Sequence, residues 1–175
     1  MEKNWYAVYT KPGKEKKIIE LLTKKNFENY CPLNMIRDQR FGRKKIIFEP
    51  LFTSFVFIRS EEYDHAEIKN TYGIINLVYW LNKPAVISND DIHTIKKFLH
   101  DFGNVHLEKV QVGVNDAGRM LSDSVMNQDG NVVSAHNGLA KAVLPSLGYM
   151  MVAHAGKQNV KVIISKNSGN YATSR

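Results

Sequence analysis

Lys11, Lys14, Lys17 and Lys24 place four ammonium groups in one short stretch, directly behind the ring-rich run Trp5-Tyr6-Ala7-Val8-Tyr9. Ammonium groups hold phosphate as point charges, and flat rings bury much area at small entropic cost. Together they describe a surface that meets both a polyanion and a protein. Phe52, Phe55, Phe57 and Trp80 are further rings of the protein-facing kind, and Tyr72 is suited to stacking on an unpaired base. The residue types that catalyse are not arranged to do so. There is no Gly-rich phosphate loop, no paired acids with a partner, and no Cys/His or Ser/His constellation. The six histidines have no spacing that assembles a metal site. Cys31 is the single cysteine, so an internal disulfide and a thiolate metal cage are both excluded, and it reads as a small buried hydrophobe. No cofactor is expected, and the chain is expected to act by binding rather than as an enzyme.

Composition supports a binding surface for polyanions. The 175 residues are 43% hydrophobic, enough for buried cores, and 24 Lys and Arg against 17 Asp and Glu leave a formal charge of +7. The surplus is uneven. Residues 1–48 hold 12 basic and 5 acidic side chains, residues 49–107 hold 5 and 8, and residues 108–175 hold 7 and 4. The basic face therefore belongs to the first segment. No apolar run approaches the roughly 20 residues of a membrane span, and the N-terminus leads straight into a strand rather than a signal segment, so a soluble cytoplasmic chain with no membrane partner is expected.

Alternating strand and helix signals must position these residues. Trp5 to Lys11 has strand composition, and Pro12-Gly13 breaks it. A helix follows, with Ile18, Leu21 and Leu22 on an apolar stripe and Lys14, Lys17 and Lys24 on another side. Tyr30 to Ile36 reads as extended, Arg37 to Lys45 as a basic loop with Gly42 at its turn, and Phe48 to Ile58 as one central strand covered on both faces. Ser60 is the expected N-cap of a helix to about Lys69, with Gly73 suited to a left-handed exit. Ile74 to Leu81 reads as a strand. Ser88-Asn89-Asp90-Asp91 resembles a capping box opening a helix with Ile92, Ile95, Leu99 and Phe102 on one face and Gly103 as its stop.

The character changes near residue 107. Val110, Val112 and Val114 alternate with polar residues and glycine, and short β-branched runs follow at Val132-Val133, Ala142 to Leu144, Tyr149 to Val152 and Val160 to Ile164, separated by Asp129-Gly130-Asn131, Asn137-Gly138 and Gly156-Lys157-Gln158. This pattern describes a small all-β barrel of about five strands. The expected organisation is an α/β unit with a mainly antiparallel sheet over residues 1–103, a linker at 104–107, a β-barrel at 108–164 and a polar tail at 165–175.

Several of these features, in this order and at this spacing, resemble the N-terminal domain of NusG-family transcription factors. They are Trp5 to Tyr9 with its basic helix, Glu49-Pro50-Leu51-Phe52 to Phe55-Val56-Phe57-Ile58, Gly73-Ile74, and Lys83-Pro84-Ala85-Val86-Ile87 before a capped helix. The likeness spans nearly all of residues 4–102, and its detail is similar to the specialised RfaH and UpxY types, the latter linked to surface-polysaccharide operons. The C-terminal pattern, with Asp129-Gly130-Asn131 ahead of Val132-Val133, resembles a KOW barrel; the Gly-Pro-Phe typical of general members is replaced by Ser122-Asp123-Ser124-Val125-Met126.

The resemblance implies an elongation or antitermination factor that bridges RNA polymerase. It assigns Tyr9, Phe52, Phe55, Phe57 and Trp80 to the clamp helices of the largest subunit, and Lys11, Lys14, Lys17, Lys24, Thr71 and Tyr72 to the non-template DNA strand; the nucleic-acid partner of the protein is non-template DNA or nascent RNA. RfaH-type factors grip the gate loop of the β subunit with His-Thr-Thr; the aligned residues are Asp64, His65 and Ala66, so that contact is weak or is rebuilt from Glu62, His65 and Lys69. Through the barrel, a ribosomal protein or Rho is the implied further partner. Trp5 and Tyr6 are expected to be structural. The β-branched runs of the C-terminal part favour a sheet over the helical hairpin that RfaH uses at rest. The alternative is an RNA-binding or ribosome-associated KOW-type module.

Overall fold

The computed structural model describes residues 2–38, 45–110, 133–136 and 138–154. The first strand, β1 (Asn4–Thr10), sits inside a five-stranded antiparallel sheet. Its neighbours are β5 (Phe55–Ser60) on one side and β6 (Ile74–Leu77) with β9 (Val86–Ile87) on the other, and β2 (Glu28–Tyr30) lies beyond β5. Because side chains alternate along a strand, Tyr6 and Val8 face one core while Trp5 and Ala7 face another. All four are buried, as expected for Trp5 and Tyr6.

The first core lies under two helices. Pro12 and Gly13 turn the chain, with Gly13 at φ +71°, and α1 (Glu15–Lys24) then lays Ile18 and Leu22 on the sheet. Each such burial removes about 2 kcal/mol of apolar exposure. Ile68 of α2 (His65–Lys69) completes this layer. The second core is covered by α3 (Asn89–Asp101), whose Ile92, Ile95 and Phe98 are buried and whose cap is the expected one: the Ser88 hydroxyl accepts the Asp91 N–H at 3.0 Å.

Three expected elements are divided differently. The run from Phe48 to Ile58 is not one strand: β4 (Lys45–Pro50) pairs with β3 (Leu33–Asp38) in a separate hairpin, and β5 begins only at Phe55. Pro50 has no N–H to continue a ladder, and Ser54 at φ +64° reverses the chain, its N–H held by the Glu15 carboxylate at 2.8 Å. Ser60 is the last residue of β5, and Glu61 is the cap instead, sharing a reciprocal box with Asp64 around a 3-10 turn at Glu62–Asp64. The strand expected from Ile74 to Leu81 stops at Leu77. A hairpin of β7 (Tyr79–Trp80) and β8 (Lys83–Pro84) follows, with Leu81 and Asn82 at φ +47° and +62°, the geometry of a tight two-residue turn.

The C-terminal strands form a four-stranded antiparallel sheet in the order β10 (His106–Lys109), β13 (Tyr149–His154), β12 (Leu139–Leu144), β11 (Val133–His136). Ala140, Ala142, Leu144, Met151 and Ala153 enter the same core as Trp5, Phe57 and α3. Residues 104–107, expected as a linker, are tied down. The buried Asn34 side chain donates to the Val105 carbonyl at 2.7 Å and accepts the Val105 N–H at 3.0 Å, and β10 starts at His106. Gly103 passes so close to Met35 that a Cβ there would lie 2.8 Å from the methionine methyl. The expected turn at Gly42, Val112 to Met126, the Asp129-Gly130-Asn131 turn, Gly156 to Ile164 and the tail lie outside the described residues.

Candidate functional site

The rings singled out from the sequence converge on one face, but at different depths. Tyr9 and Phe55, opposite each other on β1 and β5, pack with their rings tilted by 45° at 4.6 Å between centroids and are partly exposed. Phe57 is 1% exposed and belongs to the core. Phe52, only 6% exposed, sits in the turn before β5 and packs edge-on against Phe57 at 5.4 Å and against Tyr149 of β13 at 6.1 Å. Trp80 stands 73% exposed at the rim. Beside these rings lies an apolar pocket of about 340 Å³, lined by Phe52, Phe55 and Phe57, by Val78, Tyr79 and Trp80, and by Leu107, Leu147 and Tyr149 of the C-terminal part.

Sequence reading missed part of this surface. Tyr79 and Leu81 extend the apolar rim, Leu81 being 84% exposed at the turn beside Trp80. Lys69 steadies the hairpin: its ammonium is 2.8 Å from the Tyr79 hydroxyl and 5.2 Å from the ring centre. A turn was expected at Asn82-Lys83-Pro84; it falls at Leu81 and Asn82, with Lys83 and Pro84 in the return strand of a hairpin that the sequence reading did not include. No local sequence pattern links Leu107, Leu147 and Tyr149 to Trp80, because their proximity comes from the packing of distant strands.

The basic residues divide as well. Lys11 lies 5.5 Å over the ring of Tyr72, which is 69% exposed. A Cβ added to Gly73 would be 3.9 Å from Lys14 Cβ, which places the first turn of α1 against the same bend. Lys17 and Lys24 are exposed farther along α1, Lys24 lying about 15 Å along the helix axis from Lys14. A strip of positive charge thus begins at an exposed ring. Thr71 is different: it is 4% exposed, and its hydroxyl donates to the Glu67 carbonyl at 3.3 Å, which closes the end of α2.

Asp64, His65 and Ala66 are largely committed to their own turn. The Asp64 carboxylate accepts the Glu61 N–H at 3.0 Å, and the His65 ring sits edge-on to Tyr6 at 4.5 Å. Burial holds the His65 imidazole below its ordinary pKa against the pull of Glu62 and Asp64. Ala66 is exposed. The half-buried Cys31 thiol is pushed up to about 11, chiefly by burial, which makes it a poor nucleophile. Among the described residues, no group of His, Cys, Asp and Glu could hold a metal ion, and no helix is long and apolar enough to cross a membrane.

The family model described as "Transcription termination factor nusG" matches residues 3–96, more than half of the chain. Among solved structures, the one described as "Domain interaction in Thermotoga maritima NusG" is similar at 18% identity and a TM-score of 0.49, over 89% of this chain and 95% of that one. The "MjSpt4:Spt5 complex conformation A" is similar at 16% identity and a TM-score of 0.34, over 86% and 99% of the two chains. No curated protein matches the sequence.

Proposed function

The chain belongs to the NusG family of non-enzymatic transcription factors, and from that premise we propose that it is an elongation factor of the antitermination type that rides on RNA polymerase. The observation that carries this reading is the apolar pocket lined by Phe55, Tyr79 and Trp80, with Tyr9 packed against Phe55 beside it, on a sheet whose β1 strand leads straight into Lys11. Exposed rings around a concave apolar floor suit the aliphatic side chains of a coiled-coil tip, here the clamp helices of the largest subunit. Lys11, Lys14 and Tyr72, with Lys17 and Lys24 farther along, face the non-template strand at the upstream edge of the bubble, where phosphate and unpaired bases are both on offer. Phe52 and Phe57 support the pocket from below, and Thr71 supports the bend that presents Tyr72. Asp64, His65 and Ala66 make at most a slight contact with the gate loop.

The C-terminal sheet is part of a KOW-like barrel in this reading, and it recruits or exchanges a further partner such as a ribosomal protein or Rho. The operon-specific, surface-polysaccharide role follows from the RfaH and UpxY likeness. Transcription with purified polymerase on a template carrying a pause and a terminator tests the proposal. The wild-type chain is expected to raise read-through, and Trp80→Asp to abolish polymerase binding while folding normally. A chain that neither binds elongating polymerase nor alters read-through, yet binds RNA in both forms, is an RNA-binding module instead.

A further inference from the structure

We infer that the outer edge of β4 is a seam for a second copy of this chain, which lays its own β4 antiparallel against it so that two β3–β4 hairpins merge into one continuous sheet. The hairpin stands apart from the main sheet, and among the described residues no strand pairs with β4 on its far side.

The ladder fixes which backbone groups point outward. The Leu51 N–H donates to the Pro32 carbonyl at 2.8 Å, one step beyond the Pro50 and Leu33 pair, and hydrogen-bonded pairs alternate along antiparallel strands. Lys45, Ile47 and Glu49 therefore spend their N–H and C=O groups on β3, while Ile46 and Phe48 direct theirs away from it. The far edge of β3 agrees with this alternation: the Met35 carbonyl accepts the Asn104 N–H at 2.8 Å, and the Arg37 N–H donates to the Asn104 side chain at 2.9 Å. Because Asn104 occupies that edge, pairing on β4 closes as a symmetric dimer instead of growing into a fibre. At β4 itself the Lys16 ammonium lies 3.3 Å from the Phe48 carbonyl, an exposed and flexible side chain that is easily displaced.

The side chains identify what covers the edge. Ile46 and Phe48 are 58% and 53% exposed, and the exposed Lys45 and Glu49 flank them. Turned end for end about Ile47, the run Lys45-Ile46-Ile47-Phe48-Glu49 complements itself. Lys45 meets Glu49 of the second copy, Ile46 meets its Phe48, and the two Ile47 residues face each other at the axis. The residues that become hydrogen-bonded pairs in this register, Ile46 and Phe48, are those whose backbone groups point outward. A shift of one residue would set an outward group against a spent one, and a shift of two would part lysine from glutamate. A strand of unrelated sequence gains the hydrogen bonds without the paired charges.

Sedimentation of the full-length chain over a range of concentrations tests this. The seam is smaller than a standard interface, so a reversible equilibrium between one copy and two is expected. Lys45→Glu and Glu49→Lys each set like charges at both ends and are expected to weaken the dimer about tenfold, whereas the double exchange, or an equimolar mixture of the two single variants, should regain wild-type association to within about threefold. Ile46→Pro removes an outward N–H that β3 does not use and should abolish the dimer while leaving the hairpin folded. If that variant unfolds, the charge exchange decides alone. A chain that stays single up to about 1 mM overturns the inference. So does a dimer indifferent to the charge variants, or one that neither the double exchange nor the mixture restores. Loss of the dimer in Leu81→Asn, with Lys45→Glu leaving it intact, also overturns the inference by moving the contact to the β7–β8 turn.

Discussion

Phe52 and Trp80 are large rings at the same pocket, yet one is floor and the other rim. Truncating Phe52 to alanine removes a side chain wedged between Phe57 and Tyr149, and is expected to cost about 3 to 5 kcal/mol, read from urea unfolding. Loss of less than about 1 kcal/mol would show that Phe52 is not part of the core. Sequence could not separate the two rings, since both are aromatic residues near strand ends and only packing decides depth. Asp91 makes a second prediction at this scale. Burial, the largest influence, lifts its carboxyl above the ordinary range, opposed by hydrogen bonds from Ser146 and Ser88. A group raised in the folded chain stabilises it fully below the ordinary carboxylate pKa and loses that contribution as pH rises through the raised value. The stability of the wild type relative to Asp91→Asn should therefore fall as pH rises from the ordinary carboxylate range toward neutrality. A difference that stays flat across that span would contradict the assignment.

At the scale of elements, β1, α1 and the bend before β6 form the unit that presents Lys11 and Tyr72. Gly73 is its pivot: at φ +93°, with Ile18 Cδ1 3.1 Å from where a Cβ would lie, it lets Tyr72 turn outward while α1 packs beneath. Tyr72→Ala is expected to weaken binding to single-stranded DNA by about 1 to 3 kcal/mol at constant salt. Lys11→Ala should instead reduce the steepness of the salt dependence, a signature of phosphate contact. Equal salt slopes for wild type and Lys11→Ala would remove Lys11 from the interface. Much of this unit was legible from sequence. Pro12-Gly13, the Ile18/Leu22 stripe and Gly73 are local signals, and each is where expected. The splits within 48–58 and 74–81 were only partly legible: Pro50 and Asn82 mark them, whereas the positive φ of Ser54 and Leu81 is set by the surrounding fold and has no local signal.

Over the whole molecule, the C-terminal sheet and the N-terminal sheet share one core, in which Leu144 and Met151 join the same cluster as Trp5, Ile92 and Ile95. A core common to both is expected to melt as one. Calorimetry of the full chain should show a single transition, and Met151→Ala, costing about 2 to 5 kcal/mol, should lower all of it. Two well-separated transitions, with only one responding to Met151→Ala, would mean that the sheets fold independently. The strand character of the C-terminal part could be read from its β-branched runs, and its docking could not. Ala140 and Ala142 look unremarkable in sequence, and their small size matters only once α3 lies against β12.

The β7–β8 turn sets two demands against each other. Leu81 carries a branched side chain in left-handed backbone, a conformation better suited to asparagine or glycine, and holds it almost entirely in water. Both features make it a liability for a chain alone in solution, inviting self-association at high concentration. A Leu81→Asn protein should accordingly be easier to concentrate and slightly harder to melt, the more convenient reagent at the bench and, if the rim is where the partner sits, the less faithful one.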